Sequence, residues 1–588
     1  MKPILHNPIS ICSDRSRIKN QKVIIHFWLL LLWIVLGSMM RFFNLDGKTV
    51  WSDEWATIVF SLGHSFHSVP LDKIISLSTL LEPLRIDNSG AGDVVSHLMG
   101  ESTHPPLYFV LSNWWLRIFS NNGDLVSLWL ARSLSATFGV LAILAMFGLG
   151  WLSFNSLFVG QLAAGLMAVS PYGIYLAQET RHYTLVILWV IISLACWIVT
   201  IRCRSRQQIP RRSLMLVWIV VNSLGIATHY FFALNLLCQM LVLLTLWWQD
   251  VRANGRKFAL ATWFPSFWRR IGTAVLGTVA GCSAWVMSWQ YFPDARLTEW
   301  TQQDPSWSWE LLFPIGRLLT WILTMFVLPP VEGVSVWVTI ASLVVLLPVV
   351  FWFIRAAWQY FYTASDPVER AIAFSVGTSL ILNLVFAYVL GRDLTIAARF
   401  QYFYFPLVLI LGAAILQKWK SKALVVAVLL SGCLGGVAVI NNYGFQKSDR
   451  PDLVVPVIAE VNQLNQNIPI VIATVHKTHE QTGEMMGLAW EWQQRYSHDT
   501  NSSPEFLLLH VEENYRTVTS NLYRFLEQSS RPLDLWLVNF SASTILKYHS
   551  LKSQGCIVSP DYQLKVSGYR FNHYYCQEKP LDARKNYY

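Results

Sequence analysis

Residues 23–58, VIIHFWLLLLWIVLGSMMRFFNLDGKTVWSDEWATI, hold the decisive pattern of this chain. The first part, residues 23–43, contains no acid and reads as one apolar run, long enough to cross about 30 Å of hydrocarbon as a helix. Polarity then changes abruptly, and two carboxylates, Asp53 and Glu54, stand between Trp51 and Trp55. A carboxylate pair just beyond a membrane helix, in a chain otherwise written for lipid, is where chemistry would be sited.

The apolar half of that pattern recurs along all 588 residues. Hydrophobic residues make up 54% and charged residues only 14%, and about thirteen apolar stretches can be marked, most near the roughly 18 to 22 residues a span needs. No soluble core requires so many. Residues 105–119 and 313–328 are short and abut Pro-Pro pairs, so they read as re-entrant or interfacial helices, leaving about eleven full spans. The expected fold class is an all-α polytopic membrane protein of about 11–13 membrane helices.

Charge sets the expected orientation. Lys2, Arg15, Arg17, Lys19 and Lys22 precede the first helix, which lacks a small-residue cleavage site and reads as a retained anchor with its N-terminus inside. Residues 44–102 hold eight acids against three basic residues and belong outside. Three basic linkers (Arg202, Arg204, Arg206, Arg211, Arg212; Arg252, Arg256, Lys257, Arg269, Arg270; Lys418, Lys420, Lys422) belong inside. The turns at residues 178–183, 228–230, 291–312 and 391–400 then lie outside. Either span count is odd, so the C-terminus is outside too.

Composition shifts after residue 442. Residues 443–588 carry fourteen basic and fifteen acidic residues, so the net charge of +10 comes from the membrane part and gives no argument for nucleic acid. IPIVIATV, EFLLLHV and LDLWLVNF read as strands and DLVVPVIAEVNQLNQ as a helix, together a soluble α/β domain on the outer face. The expected division is therefore a cytoplasmic segment (1–22), a transmembrane domain (23–442, with 44–130 as its first outer loop) and a soluble domain (443–588). Six of the eight cysteines lie in or beside membrane helices or the basic inner face and read as small apolar packers. Cys556 and Cys576, twenty residues apart in the outer domain, are candidates for a hairpin-closing disulfide. No cysteine or histidine run has zinc-ligand spacing.

Four separated segments deliver polar groups to the outer surface. In the first, Asp53 can accept a proton from an acceptor hydroxyl or amine, Glu54 can hold a cation or sugar hydroxyl, and Trp51 and Trp55 offer faces for a sugar ring. A solvated acidic loop is the bland alternative. In the second, His104 precedes Pro105 and Pro106 at a helix start, suited to a phosphate, the acidic pair or a metal, or simply an interfacial histidine. The third, SPYGIYLAQETRHYTL, brings Gln178, Glu179, Arg181 and Tyr183 to the lipid boundary, where an arginine with carboxylate and amide neighbours suits phosphate or sugar; a snorkelling arginine with a belt tyrosine is the alternative. The fourth sets Arg399, Gln401 and Tyr402 before an apolar span, placed for a lipid-linked phosphate leaving group, again with snorkelling as the alternative. His229 reads better as a satisfied interfacial histidine.

LDGKTVWSDEWAT, STHPPLYFVLSNWWLRIFS, ARSLSATFGVLAILAMFGLGWL, LMAVSPYGIYLAQETRHYTL and the Arg399-x-x-Tyr402 block follow one another as in a known group. Over about residues 23–440 the chain resembles the membrane glycosyltransferases of GT-C fold, nearest the bacterial branch of the protein O-mannosyltransferase superfamily, which includes the lipid A aminoarabinose transferases. The resemblance implies a polyprenyl-phosphate-linked sugar donor in the outer leaflet of a bacterial inner membrane, transfer with inversion to a lipid, glycan or protein acceptor, and a periplasmic C-terminal domain. It implies Asp53 as the acceptor-activating acid with Glu54 as its partner, and His104 lining the same cavity. Glu179 and Arg181 match the polar cluster, and Arg399 and Tyr402 the donor-phosphate region. Some members place Glu-Lys where this chain has Thr103 and His104, and hold a metal there. The cofactor therefore stays open, with a divalent metal one option. The alternative function is a transporter or flippase of a lipid-linked saccharide, and a third reading is an inactive scaffold. Transporters concentrate ionisable residues at the bilayer midplane and often carry paired repeats, and neither is visible here.

Overall fold

The computed structural model describes residues 9–254, 263–289, 301–302, 309–363, 365–419, 421–465, 468–496, 503–511, 515–540, 551–566 and 568–577. Arg256, Lys257, Lys420 and most of the acidic turn at 291–312 lie outside the described residues. The chain divides into two compact units: Met1–Leu45, Thr103–Tyr108 and Arg132–Phe445; and Asp46–Ser102, Phe109–Ala131 and Gln446–Tyr588.

The first unit is helical and belongs to a multi-pass membrane protein. Among the described residues, seven helices are long and apolar enough to cross a membrane: Val23–Phe42, Leu128–Phe154, Tyr183–Ser205, Phe232–Arg252, Val336–Thr363, Pro367–Tyr388 and Lys422–Ile440. The bent pair Leu157–Val169 and Pro171–Ala177 makes an eighth if counted as one span. Other apolar stretches form shorter helices, such as Arg212–Thr228 (17 residues), Phe405–Trp419 (15) and Phe313–Thr324 (12). Val336–Thr363 has none of its apolar window buried, and Phe351 and Val345 point outward, as a lipid-facing helix requires. The core packs Trp197, Tyr172, Phe405, Ile187 and Leu194.

The break between Leu157–Val169 and Pro171–Ala177, a 57° bend, has a local cause. Pro171 has no N–H to continue the ladder, and the Ser170 hydroxyl caps the new helix by accepting from the Gly173 N–H (3.2 Å). The orphaned carbonyls at the old helix end are taken by Arg41, whose guanidinium donates to Met167 O (2.7 Å) and Ala168 O (3.0 Å). Arg41 is fully buried and also bonds Gly37 O (3.0 Å). This apolar stretch is thus two helices bent at Ser170 rather than one straight helix.

The second unit is built on a six-stranded sheet in the order β1-β3-β2-β4-β6-β5. The strands are β1 (Ile74–Ser76), β2 (Ile470–His476), β3 (Glu505–His510), β4 (Leu533–Val538), β5 (Cys556–Val566) and β6 (Tyr569–Cys576). β2 pairs in parallel with both β3 and β4, and β2 and β4 bury almost every residue, the pattern of strands covered on both faces. β1 comes from the first long loop and pairs antiparallel with β3, Ile75 opposite Phe506. That loop therefore shares its compact unit with the C-terminal residues. Cys556 and Cys576 are register partners at one end of the β5–β6 hairpin and are joined by a disulfide.

Candidate active site

In the first unit the site residues are delivered by helix ends. Residues 178–182 form the turn between Pro171–Ala177 and Tyr183–Ser205, His229 follows Arg212–Thr228, and Tyr402 lies in the 3-10 turn Ala398–Phe403. Gln178, Glu179, Arg181, Tyr183 and Tyr402 are all buried, while His104 and Arg399 are half-buried. Polar groups gathered so deeply in a helical membrane unit are expensive and mark function by default.

Arg181 anchors the group. Its Nη2 lies 3.5 Å from His104 Nε2 and its guanidinium carbon 5.7 Å from the Tyr183 ring centre. The Ser135 hydroxyl donates to Arg181 O (2.9 Å) and contacts Tyr108 Oη (2.7 Å), fixing the turn from below. His182 packs its ring 5.4 Å from His104 and 4.6 Å from His229, centre to centre. His229 Nδ1 accepts from the Phe231 N–H (3.0 Å), so that nitrogen carries no proton, and the Tyr402 hydroxyl (3.1 Å) must also donate to it. His229 is therefore a neutral imidazole with its proton on Nε2. Electrostatics agree. Burial first, then His229, Arg181, His104 and Arg399, push His182 well below the usual imidazole range, and burial with His104, Arg181 and Arg399 does the same to His229.

Arg399 reaches this cluster by charge, felt at His182 and His229, and its guanidinium lies over Phe400 (5.3 Å). Glu179 is hydrogen-bonded to Tyr175, where the Arg399 charge is also felt. Gln178 is largely spent on structure: its Nε2 donates to Met40 O (3.3 Å) and Phe43 O (3.2 Å) at the end of the first helix, leaving its buried Oε1 without a partner. The arrangement offers two cations, neutral imidazoles and tyrosine hydroxyls, a set that receives an anion with planar or tetrahedral oxygens. Sequence reasoning passed over His182 and set His229 aside as a satisfied histidine. His229 Nδ1 is satisfied, yet its ring is a wall of the cluster.

Asp53 and Glu54 belong to the second unit and open the helix Ser52–Ser61. Asp53 keeps part of its surface exposed while Glu54 is fully buried. Acids in a first helical turn sit favourably on the helix dipole. The flanking aromatics do not offer the open sugar platforms expected from the sequence. Trp55 is buried and packs on Trp490 (5.4 Å), and Trp51 is buried as well, because this helix faces the interior of its unit. Among the described residues, no three His, Cys, Asp or Glu side chains converge in a way that would hold a metal ion.

No family model matches the chain, and no curated protein matches it. Among solved structures it is similar to ArnT from Cupriavidus metallidurans bound to undecaprenyl phosphate, at 12% identity and a TM-score of 0.49 over 94% of this chain and 98% of that one. It is also similar to the Archaeoglobus fulgidus oligosaccharyltransferase in the apo form (13%, 0.45, 92% and 74%). A third is the oligosaccharyltransferase AglB of the same organism in complex with an inhibitory peptide and a dolichol-phosphate (11%, 0.44, 95% and 75%). At such identities and scores the likeness assigns no residue and no reaction to this chain.

Proposed function

We propose that this chain is an integral-membrane glycosyltransferase of GT-C type, which moves a sugar from a polyprenyl-phosphate donor to an acceptor on the outer, periplasmic face of a bacterial inner membrane. The observation that carries the reading is the cluster of buried Arg181, His182, His229 and Tyr402 with half-buried His104, and the Arg399 charge felt within it. A transporter pathway would set such groups within helices, near the midplane; here they sit at helix ends and in turns. In the proposed reaction the acceptor oxygen or nitrogen attacks the anomeric carbon opposite the phosphate, and Asp53 takes the acceptor proton with Glu54 as its neighbour. The bond from the anomeric carbon to the phosphate oxygen breaks with inversion. A sugar phosphate is already a good leaving group, so little acid catalysis is needed, and Arg181 and Arg399 stabilise the departing charge, with His104, Glu179, Tyr183 and Tyr402 around it. Gln178 holds the end of the first helix through Met40 O and Phe43 O.

The test uses membrane vesicles carrying the full-length chain and a panel of synthetic polyprenyl-phosphate hexoses and pentoses. Mass spectrometry follows free polyprenyl phosphate and any sugar-mass gain on vesicle lipid, glycan or protein. Wild type is expected to consume at least one donor, and Asp53→Asn to lower that rate by about 10²- to 10⁴-fold. Movement of intact donor across the vesicle membrane without bond cleavage would instead identify a flippase.

A further inference from the structure

The helix that carries Asp53 and Glu54 begins without a cap of its own. The first N–H groups of any helix lack intrahelical partners, and a Ser, Thr, Asp or Asn just before it normally supplies an oxygen. Here that position is Trp51, which makes no side-chain cap bond. The oxygen comes from the far end of the chain instead: Asp449 Oδ2 accepts from the Ser52 N–H at 2.8 Å, across 397 residues. Asp449 is only 6% exposed, and its own carbonyl accepts from the Thr49 hydroxyl (3.4 Å). Gly568, at φ +80°, closes over it so tightly that a Cβ there would lie 2.7 Å from Asp449 Cα.

A second contact seats the same turn. On the helix His479–Tyr496, Gly483 lets the backbone approach so closely that a Cβ would stand 3.1 Å from Ser52 Cα and 3.2 Å from Ser52 O. One turn on, a Cβ at Gly487 would stand 3.5 Å from Trp55 Nε1. C-terminal residues thus fix the start of the Asp53 helix from its N-terminal end and from one side.

We infer that Asp449 is a positioning residue for Asp53, capping its helix in trans so that the C-terminal α/β region sets the direction of the acceptor-activating carboxylate. The inference rests on the proposed role of Asp53. It assigns the C-terminal region a part in turnover as well as in folding.

The groups facing Asp449 define what its charge does. They are Ser52 and Asp53 from the capped helix, Glu484 from His479–Tyr496 and Tyr569 from β6, with Lys447, Ser448, Arg450 and Asp452 beside it in its own segment. Burial raises the Asp449 carboxyl above the ordinary range, and the charge of Asp53 adds to it.

The test compares Asp449→Ala, Asp449→Asn and Gly483→Ala in full-length protein, using the donor from the panel that wild type consumes. Asp449→Ala is expected to lower kcat by about ten- to hundred-fold with KM for the donor within about two-fold, the mark of misaligned chemistry rather than lost binding. Gly483→Ala should do likewise. Asn caps about as well as Asp, so Asp449→Asn should recover most of kcat. If Asp449→Ala does not fold, Gly483→Ala decides through the same split of kcat against KM. The inference is overturned if Asp449→Asn turns over as slowly as Asp449→Ala, if Gly483→Ala keeps the wild-type kcat, or if the Ala variant melts lower while turning over at the wild-type rate. A fully active Asp53→Asn would overturn the proposed function instead, whatever the Asp449 variants do.

Discussion

Replacing Glu484 by Gln should change how the stability of the second unit depends on pH. Glu484 lies on the helix His479–Tyr496, where Asn539 Nδ2 donates to its Oε2 (2.9 Å) and Tyr569 Oη donates to its backbone carbonyl (3.0 Å). Burial pushes its carboxyl from 4.5 up to about 8, the charges of Asp449 and Glu480 add to this, and the Asn539 bond opposes it. Between those values the folded chain keeps a proton that the unfolded chain has lost. The folded state then binds more protons, so stability falls as pH rises from about 4.5 to 8. A displacement of that size corresponds to about 5 kcal/mol at full burial, and roughly half that for a side chain keeping some surface in water. Gln preserves the acceptor for Asn539 and removes the titration. Thermal melts of full-length protein followed by tryptophan fluorescence at pH 5, 6, 7 and 8 provide the assay, read as the difference between wild type and Glu484→Gln. The variant should gain on wild type by about 2–3 kcal/mol across that range. Parallel curves for the two proteins would refute the claim that Glu484 is held protonated.

Other expectations follow from the same geometry. His476 is pushed down from 6.5 to about 4, by burial first and then by His510 and His479. Its contribution has the opposite slope: it is complete above about 6.5 and lost as pH falls towards 4, so His476→Gln should flatten the acid side of the melting profile by about 1–3 kcal/mol. Arg41→Leu leaves the Met167 and Ala168 carbonyls without their donor and should cost about 2–5 kcal/mol, measured by thermal melting in detergent; an unchanged melting temperature would mean the hinge at Ser170 holds itself. Arg181→Gln should lower kcat by about 10²- to 10³-fold on the consumed donor with little change in melting, whereas a change confined to KM would give Arg181 a role in ground-state binding alone.

Much of the architecture was readable before folding. Long apolar runs without acids become membrane helices because the backbone can satisfy itself internally only in that form. The short apolar runs at 470–476, 505–510 and 533–538 become buried parallel strands for the same reason of patterning. Residues such as Arg181, Glu179 and Tyr402 could be singled out because a polar group beside an apolar run is locally anomalous. Nothing in the sequence near Arg41 announces that it serves carbonyls 126 and 127 residues away.

Composition and periodicity therefore decided the class of the protein, the presence of its soluble α/β portion and the polar residues worth suspecting, since each depends on neighbours within a turn or a strand. Folding alone decided that a three-residue strand from the first loop pairs with β3, that the Tyr402 hydroxyl donates to His229, and that Asp449 caps the helix of Asp53. Those pairings join residues separated by 173 to more than 400 positions. Hydrogen bonds of a few ångströms between such distant partners leave no periodic trace along the chain, so only the packed structure reveals them.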